Sequence, residues 1–261
     1  FQELGMTKED SVSKIKFILK ELRMSGAKEA LEDSLKQSKV EALSYEEFLL
    51  ELLEIEVTNR KNNRILKGMK SSKLPLEKNR MSFDYDRLPR GLRQQVESLF
   101  SGDFVDFKEN ILAFGNPGSG KTHLLCALAQ HLIEEGRSVI FYNCNLLVQE
   151  MLLARRELRL PKLLKRLSRY EVLVLDDIGY VQQGKEETDV LFTLLSERYE
   201  RGSMLISSNL PFSKWDKIFS DPMTTVAAID RIVHHSIVLD LNLPSYRSEQ
   251  AKKNAKTQEI M

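Results

Sequence analysis

Eight consecutive residues, Gly115 to Thr122, have the types and spacing of a phosphate-binding loop. Their sequence, Gly-Asn-Pro-Gly-Ser-Gly-Lys-Thr, fits the pattern GxxxxGK[ST] and lies between an apolar run and a stretch with helical periodicity. Glycines let backbone N–H groups turn toward phosphate oxygens, and the following helix N-terminus adds a positive dipole end. A glycine-rich turn with an exposed lysine is the alternative. The predicted nucleotide-binding residues are Gly115, Asn116, Pro117, Gly118, Ser119, Gly120, Lys121, Thr122 and His123.

An apolar run at residues 172–175 ends in two carboxylates, Asp176 and Asp177. Buried parallel strands place ligands at their carboxyl ends, so we predict that Asp176 holds Mg²⁺ together with the Thr122 hydroxyl. Asp177 would orient or deprotonate the water that attacks the γ-phosphate, which Lys121 contacts. An acidic turn after a core strand is the alternative. The predicted metal ligands are therefore Thr122 and Asp176.

Three polar residues further along complete the candidate catalytic set. Asn209 follows the next apolar run, residues 203–207, and we predict that its amide bonds to the γ-phosphate or to the attacking water, although Asn is also common in turns. Arg231 suits an arginine finger offered to the γ-phosphate of a neighbouring subunit, because a guanidinium is planar and always charged. A surface pair with Asp230 is its alternative. Arg247 is a weaker candidate for a second phosphate contact.

The elements that must position these residues alternate between strand and helix. Short apolar runs at 111–114, 138–142, 172–176, 203–207 and 237–241 are separated by helical patterns at 122–135, 146–169, 185–201 and 225–235. We expect the helix 146–169 to be interrupted at Pro161. Five apolar strands separated by helices indicate an α/β fold with a parallel sheet covered on both faces.

The preceding part of the chain shows helical signals without strand signals. Apolar residues recur at helical spacing from Ile15 onward, Gly26 is a predicted break, and Ser44 with Glu47 forms a capping-box pattern. We predict an all-helical domain at 6–82, a linker and leading helix at 83–100, an ATPase domain at 101–250 and a tail at 251–261. Residues 1–5 are interpreted as a cloning remnant, with Met6 as the native start.

Charge is unevenly distributed along the chain. The 261 residues carry a formal net charge of +1, which argues against a uniformly basic nucleic-acid coat. Within that balance, residues 58–82 hold eight bases against one acid, and residues 151–170 hold seven bases against one acid. Either stretch could be a solvated helix face, but two of them favour a polyanion partner. The predicted DNA-binding residues are Arg60, Lys61, Arg64, Lys67, Arg155, Arg156, Arg159, Lys162, Lys165 and Arg166.

The two cysteines, Cys126 and Cys144, show no metal-ligand spacing, which favours a reducing, cytoplasmic compartment. No apolar run approaches the roughly 18 residues needed to span a membrane, so no membrane partner is expected.

The order of these motifs resembles the AAA+ ATPases, in particular their initiator and helicase-loader branch. The segments Gly118 to Leu124, Leu175 to Gly179 and Ser245 to Arg247 are most similar to IstB-like proteins, which are ATP-dependent helpers of bacterial insertion-sequence transposases and relatives of the helicase loader DnaC. The resemblance implies an AAA+ P-loop NTPase with ATP and Mg²⁺, a homo-oligomer with ATP-bridged interfaces, and a DNA-facing helix at 146–169. Two departures stand out: Asp177 replaces the usual Glu, and about twenty residues after the last strand imply a truncated lid.

Three functions remain open at this point. The first is a transposition helper that oligomerises with ATP on duplex DNA and recruits or activates a transposase in the bacterial cytoplasm, with ATP hydrolysis then dissolving the assembly. The second is a replicative helicase loader that acts on single-stranded DNA and a helicase partner. The third is a small-molecule kinase using the same loop. Only Tyr170 is aromatic within the two basic stretches, which favours contacts to duplex backbone over base stacking.

Overall fold

A computed structural model describes residues 8–179, 184–211, 214–215 and 222–246. The interpretations of residues 1–5 and of the tail at 251–261 lie outside these ranges, as does Arg247. The chain divides into two compact units, Phe1–Lys67 and Gly68–Met261. This division falls inside a helix, whereas the sequence predicts the end of the helical domain at residue 82.

From residue 8 onward, the first unit contains the helices α1 (Lys8–Glu21), α2 (Ser25–Val40) and α3 (Tyr45–Ser72, which runs on into the second unit). Leu19, Ala27, Leu31 and Leu52 form its small apolar core. The predicted capping box is present, because the Ser44 N–H donates to Glu47 Oε2 and the Glu47 N–H donates to Ser44 Oγ.

The prediction that Gly26 breaks a helix is wrong. The break lies at residues 22–24, and Gly26 sits in the first turn of α2. A Cβ at this position would lie 2.7 Å from Cβ of Asn59. A residue without a side chain is therefore needed at position 26 because α2 and α3 approach closely there, and not because the chain turns.

Within its described residues, the second unit contains five strands: β1 (Asn110–Phe114), β2 (Val139–Asn143), β3 (Val172–Ile178), β4 (Ser203–Ser208) and β5 (Ser236–Asp240). They form one sheet in the spatial order β2-β3-β4-β1-β5, and all strand pairs are parallel. β4 thus lies between β1, which precedes the phosphate loop, and β3, which carries Asp176 and Asp177 near its end. This confirms the predicted sheet.

Helices cover both faces of the sheet, because alternate strand residues point to opposite sides. After a 3₁₀ turn at Tyr85–Arg87, the described helices are α4 (Arg90–Leu99), α5 (Asp103–Asp106), α6 (Lys121–Glu134), α7 (Cys144–Arg156), α8 (Leu160–Leu167), α9 (Lys185–Arg198) and α10 (Pro222–Val233). Leu173 and Leu175 pack toward a cluster with α7 to α9, while Val172 and Val174 pack toward a cluster with α4 to α6.

The predicted helix at 146–169 is two helices, and its break precedes the proline. Leu158 adopts a φ of 55°, which ends α7, and Pro161 lies in the first turn of α8. Proline is favoured at that position because a first-turn N–H has no intrahelical partner. Pro161 therefore starts a helix here and does not interrupt one. Among the described helices, none combines the length and apolar character needed to cross a bilayer.

Candidate functional site

The loop from Gly115 to Thr122 joins β1 to α6, as the motif requires. Gly115, Gly118 and Gly120 have φ values of 150°, 80° and 104°, a region that L side chains rarely adopt. These angles curl the loop around the start of α6. Lys121 Nζ donates to the carbonyl oxygens of Gly115 and Asn116, at 2.9 Å each, so the ammonium lies inside the loop.

The segment that follows β5 holds this loop from the other side. The Leu241 N–H donates to the Phe114 carbonyl at 2.7 Å, and the Tyr246 N–H donates to the Gly118 carbonyl at 2.9 Å. A Cβ at Gly115 would lie 2.2 Å from the Leu241 carbonyl oxygen. Glycine is thus required at 115 by backbone contact as well as by its φ.

The two carboxylates meet the loop at a β-bulge. Leu175 pairs with Ile206 and Ile178 pairs with Ser208, so Asp176 and Asp177 together oppose the single residue Ser207. Asp177 accordingly has a φ of 60° and its side chain lines the cavity described below.

A compact hydrogen-bond network joins the loop to the Asp176 carboxylate and to the backbone of Asp177. Thr122 Oγ1 donates to Asp176 Oδ1 at 2.7 Å, and Ser207 Oγ donates to the same oxygen at 2.6 Å. The Asp177 N–H in turn donates to Ser207 Oγ at 2.8 Å. Asp176 is 8% exposed and Ser207 is fully buried, so both hydroxyls hold the carboxylate in one orientation.

Thr122 and Asp176 fit a magnesium ion. Their oxygens are hard donors that converge beside the phosphate loop, and Mg²⁺ is usually held by one or two carboxylates plus substrate phosphates. Within the described ranges, no three His, Cys, Asp or Glu side chains come together as a metal cluster. A site of this kind would therefore need phosphate oxygens to be complete.

A cavity of about 340 Å³ opens over the loop, Asp177 and Asn209. Asn209 Oδ1 is buried and makes no hydrogen bond among the described residues. Buried polar atoms are normally paired, so this amide oxygen has unused hydrogen-bonding capacity. Because Asn209 lines the cavity, the structure places it next to the space in which a phosphate or a water would lie.

The other wall of the cavity comes from two segments on either side of the sheet domain. Phe83 and Arg87 precede the domain, and Leu243 and Tyr246 follow β5. Arg87 Nη2 donates to the Pro244 carbonyl at 2.7 Å, and its guanidinium lies 5.1 Å from the centre of the Tyr246 ring. An apolar and aromatic wall next to a phosphate loop suits a purine base.

His123 ties the linker to α6. Its Nε2 lies 3.1 Å from the Asn79 carbonyl, which can only accept, so this nitrogen carries the proton. Burial lowers the pKa of His123, which favours the neutral ring at pH 7. The Phe83 ring packs edge-on against it at 5.3 Å. His123 thus positions Phe83 at the cavity.

Arg231 does not line the cavity of its own chain. Its Nη1 donates to Ser196 Oγ at 2.9 Å, and its guanidinium stacks on the Phe192 ring at 4.6 Å. No ion pair with Asp230 or another carboxylate forms within the described part of the chain. The surface pair considered as the alternative is therefore absent, and the charge is held against α9 without being neutralised.

The basic residues of 151–170 separate into two groups. Arg155 and Arg156 lie 3.8 and 3.9 Å from Asp189 and Glu186 of α9. A groove of about 560 Å³ between α7 and α8 is lined by the remaining bases, with the acids Glu150 and Glu157 on the same walls. These bases are Arg159, Lys162, Lys165, Arg166 and Arg169.

Within the groove, some bases are already paired. Arg166 contacts Glu150 at 2.6 Å and Arg159 contacts Glu157. Lys162, Lys165 and Arg169 are exposed and form no ion pair among the described residues. They are the bases of this surface best able to meet phosphates.

On α3, Arg60 pairs with the buried Glu56 at 2.6 Å and donates to the Arg23 carbonyl. Burial alone would raise the pKa of Glu56, but hydrogen bonds from Arg60 and from the Ala27 and Gly26 amides outweigh it and lower that pKa. Lys61, Arg64 and Lys67 are exposed. Arg60 is therefore partly structural, unlike its three neighbours.

Three groups of residues around the site carry no motif of their own. Ser207 depends on the bulge in β3, and the wall residues Arg87 and Leu243 depend on contacts between segments far apart in the chain. Tyr246, in contrast, belongs to the segment Ser245 to Arg247 that supports the family resemblance. Arg169 belongs to the basic stretch but was not among the predicted DNA-binding residues. The aromatic Phe83, by contrast, is visible in the sequence as an open candidate for packing on a base.

The chain matches known proteins over most of its length. The sequence model of the family described as IstB-like ATP binding protein matches residues 17–255. An insertion sequence ATP-binding protein of Sinorhizobium fredii is 38% identical over 240 residues, which are 92% of this chain and 80% of that protein. The insertion sequence IS21 ATP-binding protein of Pseudomonas aeruginosa is 34% identical over 239 residues, 92% of this chain and 90% of that protein.

A solved structure shows the same fold at low sequence identity. The DnaC helicase loader superposes with a TM-score of 0.50 and 17% identity over 57% of this chain and 86% of the loader chain. Similarity at this level concerns the fold alone.

Proposed function

The chain belongs to the family of IstB-like ATP-binding proteins, and on that premise we propose that it is an ATPase that assists the transposase of a bacterial insertion sequence on duplex DNA. The observation that carries the ATPase is the network joining Thr122, Asp176 and Ser207 beside the phosphate loop. The association with an insertion sequence rests on the names of the relatives. Two free, buried cysteines are in keeping with the reducing bacterial cytoplasm that the sequence predicts.

In this function the loop binds the phosphates of ATP. The N–H groups of the loop and Lys121 surround the β- and γ-phosphates, while the Phe83 wall receives the base. Thr122 and Asp176 would hold Mg²⁺, which supplies charge neutralisation on the phosphates when bound. Rotation of Lys121 Nζ away from the Gly115 and Asn116 carbonyls would turn the ammonium toward the incoming phosphates.

Hydrolysis is attack of a water molecule on the γ-phosphate. Asp177 orients that water and accepts its proton, and the Asn209 amide holds the water or the γ-phosphate in line. Lys121 stabilises the negative charge that develops on the phosphoryl oxygens. Because Asp177 is one methylene shorter than Glu and is held at a bulge, we expect slow turnover.

Arg231 completes the site of a neighbouring subunit in an ATP-bridged oligomer. It is absent from the cavity of its own chain, carries no ion pair among the described residues, and is oriented by Phe192 and Ser196. A positioned, unneutralised guanidinium is what an arginine finger requires.

The groove between α7 and α8 is the proposed phosphate-backbone contact. Lys162, Lys165 and Arg169 lie on it without an ion pair to any described residue, whereas Arg155 and Arg156 contact acids of α9. The residues that line the groove include no Phe, Tyr or Trp. Binding to single strands commonly uses aromatic stacking, so the groove favours duplex DNA over the helicase-loader function.

Salt-dependent DNA binding tests this function. Lys162→Gln with Lys165→Gln and Arg169→Gln should flatten the slope of log affinity against log salt by up to about 3, since each phosphate contact contributes about 0.9. Arg155→Gln with Arg156→Gln is the matched control and should change the slope less. The wild type should bind duplex more tightly with ATP than with ADP. A preference for single strands would support the helicase loader, and an unchanged slope in the triple variant would refute this DNA surface.

A further inference from the structure

Two positively charged side chains meet at the hydroxyl of Tyr142, which lines neither the nucleotide cavity nor the groove between α7 and α8. Lys73 Nζ lies 3.1 Å from Tyr142 Oη and 4.2 Å from the centre of its ring. Arg166 Nη2 lies 3.2 Å from the same oxygen. The three residues come from separate elements of the second unit. Lys73 directly follows α3, Tyr142 lies near the end of β2, and Arg166 belongs to α8.

The proton of the Tyr142 hydroxyl has no acceptor among the described residues. An ammonium and a guanidinium carry donors only, so Tyr142 Oη accepts from both Lys73 and Arg166. The phenol keeps its own proton as a further donor. The Tyr142 side chain is buried, and buried polar groups are normally paired. A buried hydroxyl with an unused proton points to a ligand that brings an acceptor oxygen.

The two charged side chains also keep unused donors. Lys73 is exposed and forms no ion pair among the described residues, and its ammonium has two protons besides the one given to Tyr142. Arg166 uses Nη2 for both Tyr142 and Glu150, so its Nε and Nη1 make no hydrogen bond to a described residue. Glu150 is the carboxylate beside these two bases. Two positive charges against one negative charge leave the cluster with a net charge of +1.

We propose that Lys73, Tyr142 and Arg166 form a binding site for one backbone phosphate of duplex DNA. A phosphodiester presents two oxygens that share one negative charge, which matches a net charge of +1 and donors from three side chains. The inference rests on the DNA-binding function proposed above. It extends that function to Lys73 and Tyr142, which are not among the predicted DNA-binding residues.

Arg166 connects this site to the groove between α7 and α8, because it also lines that groove. Spacings of three and four residues place the bases of the groove along one side of α8 and the residues just after it, and these bases are Lys162, Lys165, Arg166 and Arg169. A DNA strand that follows these bases would therefore reach the Tyr142 hydroxyl next to Arg166. The Tyr142 ring packs in the core and only its hydroxyl takes part, so the contact needs no base stacking and suits the backbone of a duplex.

Lysine acetylation of the full chain with ATP, followed by mass spectrometry, tests the site. Duplex DNA should slow the acetylation of Lys73 at least threefold, together with that of Lys162 and Lys165. Lys108 is the internal control, because its φ of 58° is close to the 60° of Lys73 but it precedes β1, at the opposite edge of the sheet. Its acetylation rate should not change. If DNA protects Lys162 and Lys165 but not Lys73, this site is refuted and the proposed DNA surface stands. If DNA protects none of the three, both are refuted.

The same measurement separates the possible sources of the anion. Inorganic phosphate at the same total phosphate concentration, and poly-glutamate at the same concentration of charge, should protect Lys73 less than duplex DNA does. Equal protection by inorganic phosphate would assign a site for a free anion. Stronger protection by poly-glutamate would assign an acidic protein segment. Either result would overturn the proposal.

Tyr142→Phe tests the hydroxyl separately from the charges around it. The variant keeps the ring in the core and removes an uncharged donor, so duplex affinity should fall about 10-fold while the slope of log affinity against log salt stays the same. Lys73→Gln should lower the affinity and also flatten the slope by about 0.9, whereas Lys108→Gln should do neither. Thermal melting verifies that each variant is folded. Wild-type affinity in both Tyr142→Phe and Lys73→Gln would refute the site.

Discussion

Replacing Ser207 by Ala should slow ATP hydrolysis while leaving the fold and the nucleotide affinity largely intact. Ser207 Oγ contacts both residues of the Asp176–Asp177 pair, because it donates to the first carboxylate and accepts the backbone N–H of the second residue. Its removal leaves Asp176 with the hydrogen bond from Thr122 and leaves the Asp177 N–H without this partner. The loop glycines and the contacts of Lys121 with the loop carbonyls are not involved.

The expected magnitude follows from these two bonds. A hydrogen bond to a charged group contributes about 1.5–3 kcal/mol, and part of this loss is recovered when a carboxylate binds a cation. We expect a loss of about 1.4–2.7 kcal/mol of transition-state stabilisation, which corresponds to a 10- to 100-fold fall in kcat. The apparent affinity for Mg²⁺ should fall too, since the orientation of Asp176 is lost.

Ser208→Ala is the matched control. Ser208 is buried on the same strand, but its hydroxyl donates to the carbonyls of Ile178 and Leu210, away from Asp176. Steady-state hydrolysis should be measured against Mg²⁺ concentration for both variants, together with thermal melting and binding of a fluorescent ATP analogue. If Ser207→Ala and Ser208→Ala have the same kcat and the same Mg²⁺ dependence, Ser207 does not position the carboxylates.

Three further predictions concern the residues around this network. Asp177→Asn should keep ATP binding and lower turnover about 100-fold, measured by single-turnover hydrolysis; normal turnover would remove Asp177 from the reaction. Arg198→Met should lower the free energy of unfolding, measured with denaturant, by about 3–5 kcal/mol, because the buried guanidinium donates to four carbonyl groups. Arg201→Met is the exposed control and should lower it by under about 0.5 kcal/mol. Mixing inactive Lys121→Ala and Arg231→Ala chains should restore hydrolysis, because each supplies what the other lacks; no recovery would argue against a finger acting across subunits.

Features that depend on neighbouring residues in the chain were predictable from the sequence. The phosphate loop, the five strands and the Ser44 capping box each rest on a pattern that spans fewer than ten residues. The carboxyl ends of β3 and β4 could also be placed together, because parallel strands align their ends at one edge. The sequence thus locates Asp176, Asp177 and Asn209 at one edge of the sheet without the structure.

Features that depend on register or on long-range contacts were not predictable. Ser207 bonds to the Asp176 carboxylate and to the Asp177 backbone N–H at a bulge, where β3 carries one extra residue between Leu175 and Ile178. Likewise, a count of positive charges cannot distinguish two kinds of base. Arg155 and Arg156 contact acids that follow about thirty residues later, whereas Lys162 and Lys165 of α8 form no ion pair among the described residues. Gly26 shows the same limit, since its role depends on the distant Asn59.

Helix α9 connects the parts of the proposed mechanism that the sequence presents separately. Its first turns hold the end of α7 through Glu186 and Asp189, and its middle holds Arg231 through Phe192 and Ser196. Both sets of contacts are side-chain contacts on one continuous helix, and α9 follows β3 in the chain. Any displacement of α9 would therefore move the proposed finger and the support of the proposed DNA surface together. Arg231 is oriented by an aromatic ring and a hydroxyl, and no carboxylate among the described residues pairs with it. Its charge can therefore serve a phosphate in a neighbouring subunit without first breaking an ion pair with any of these residues.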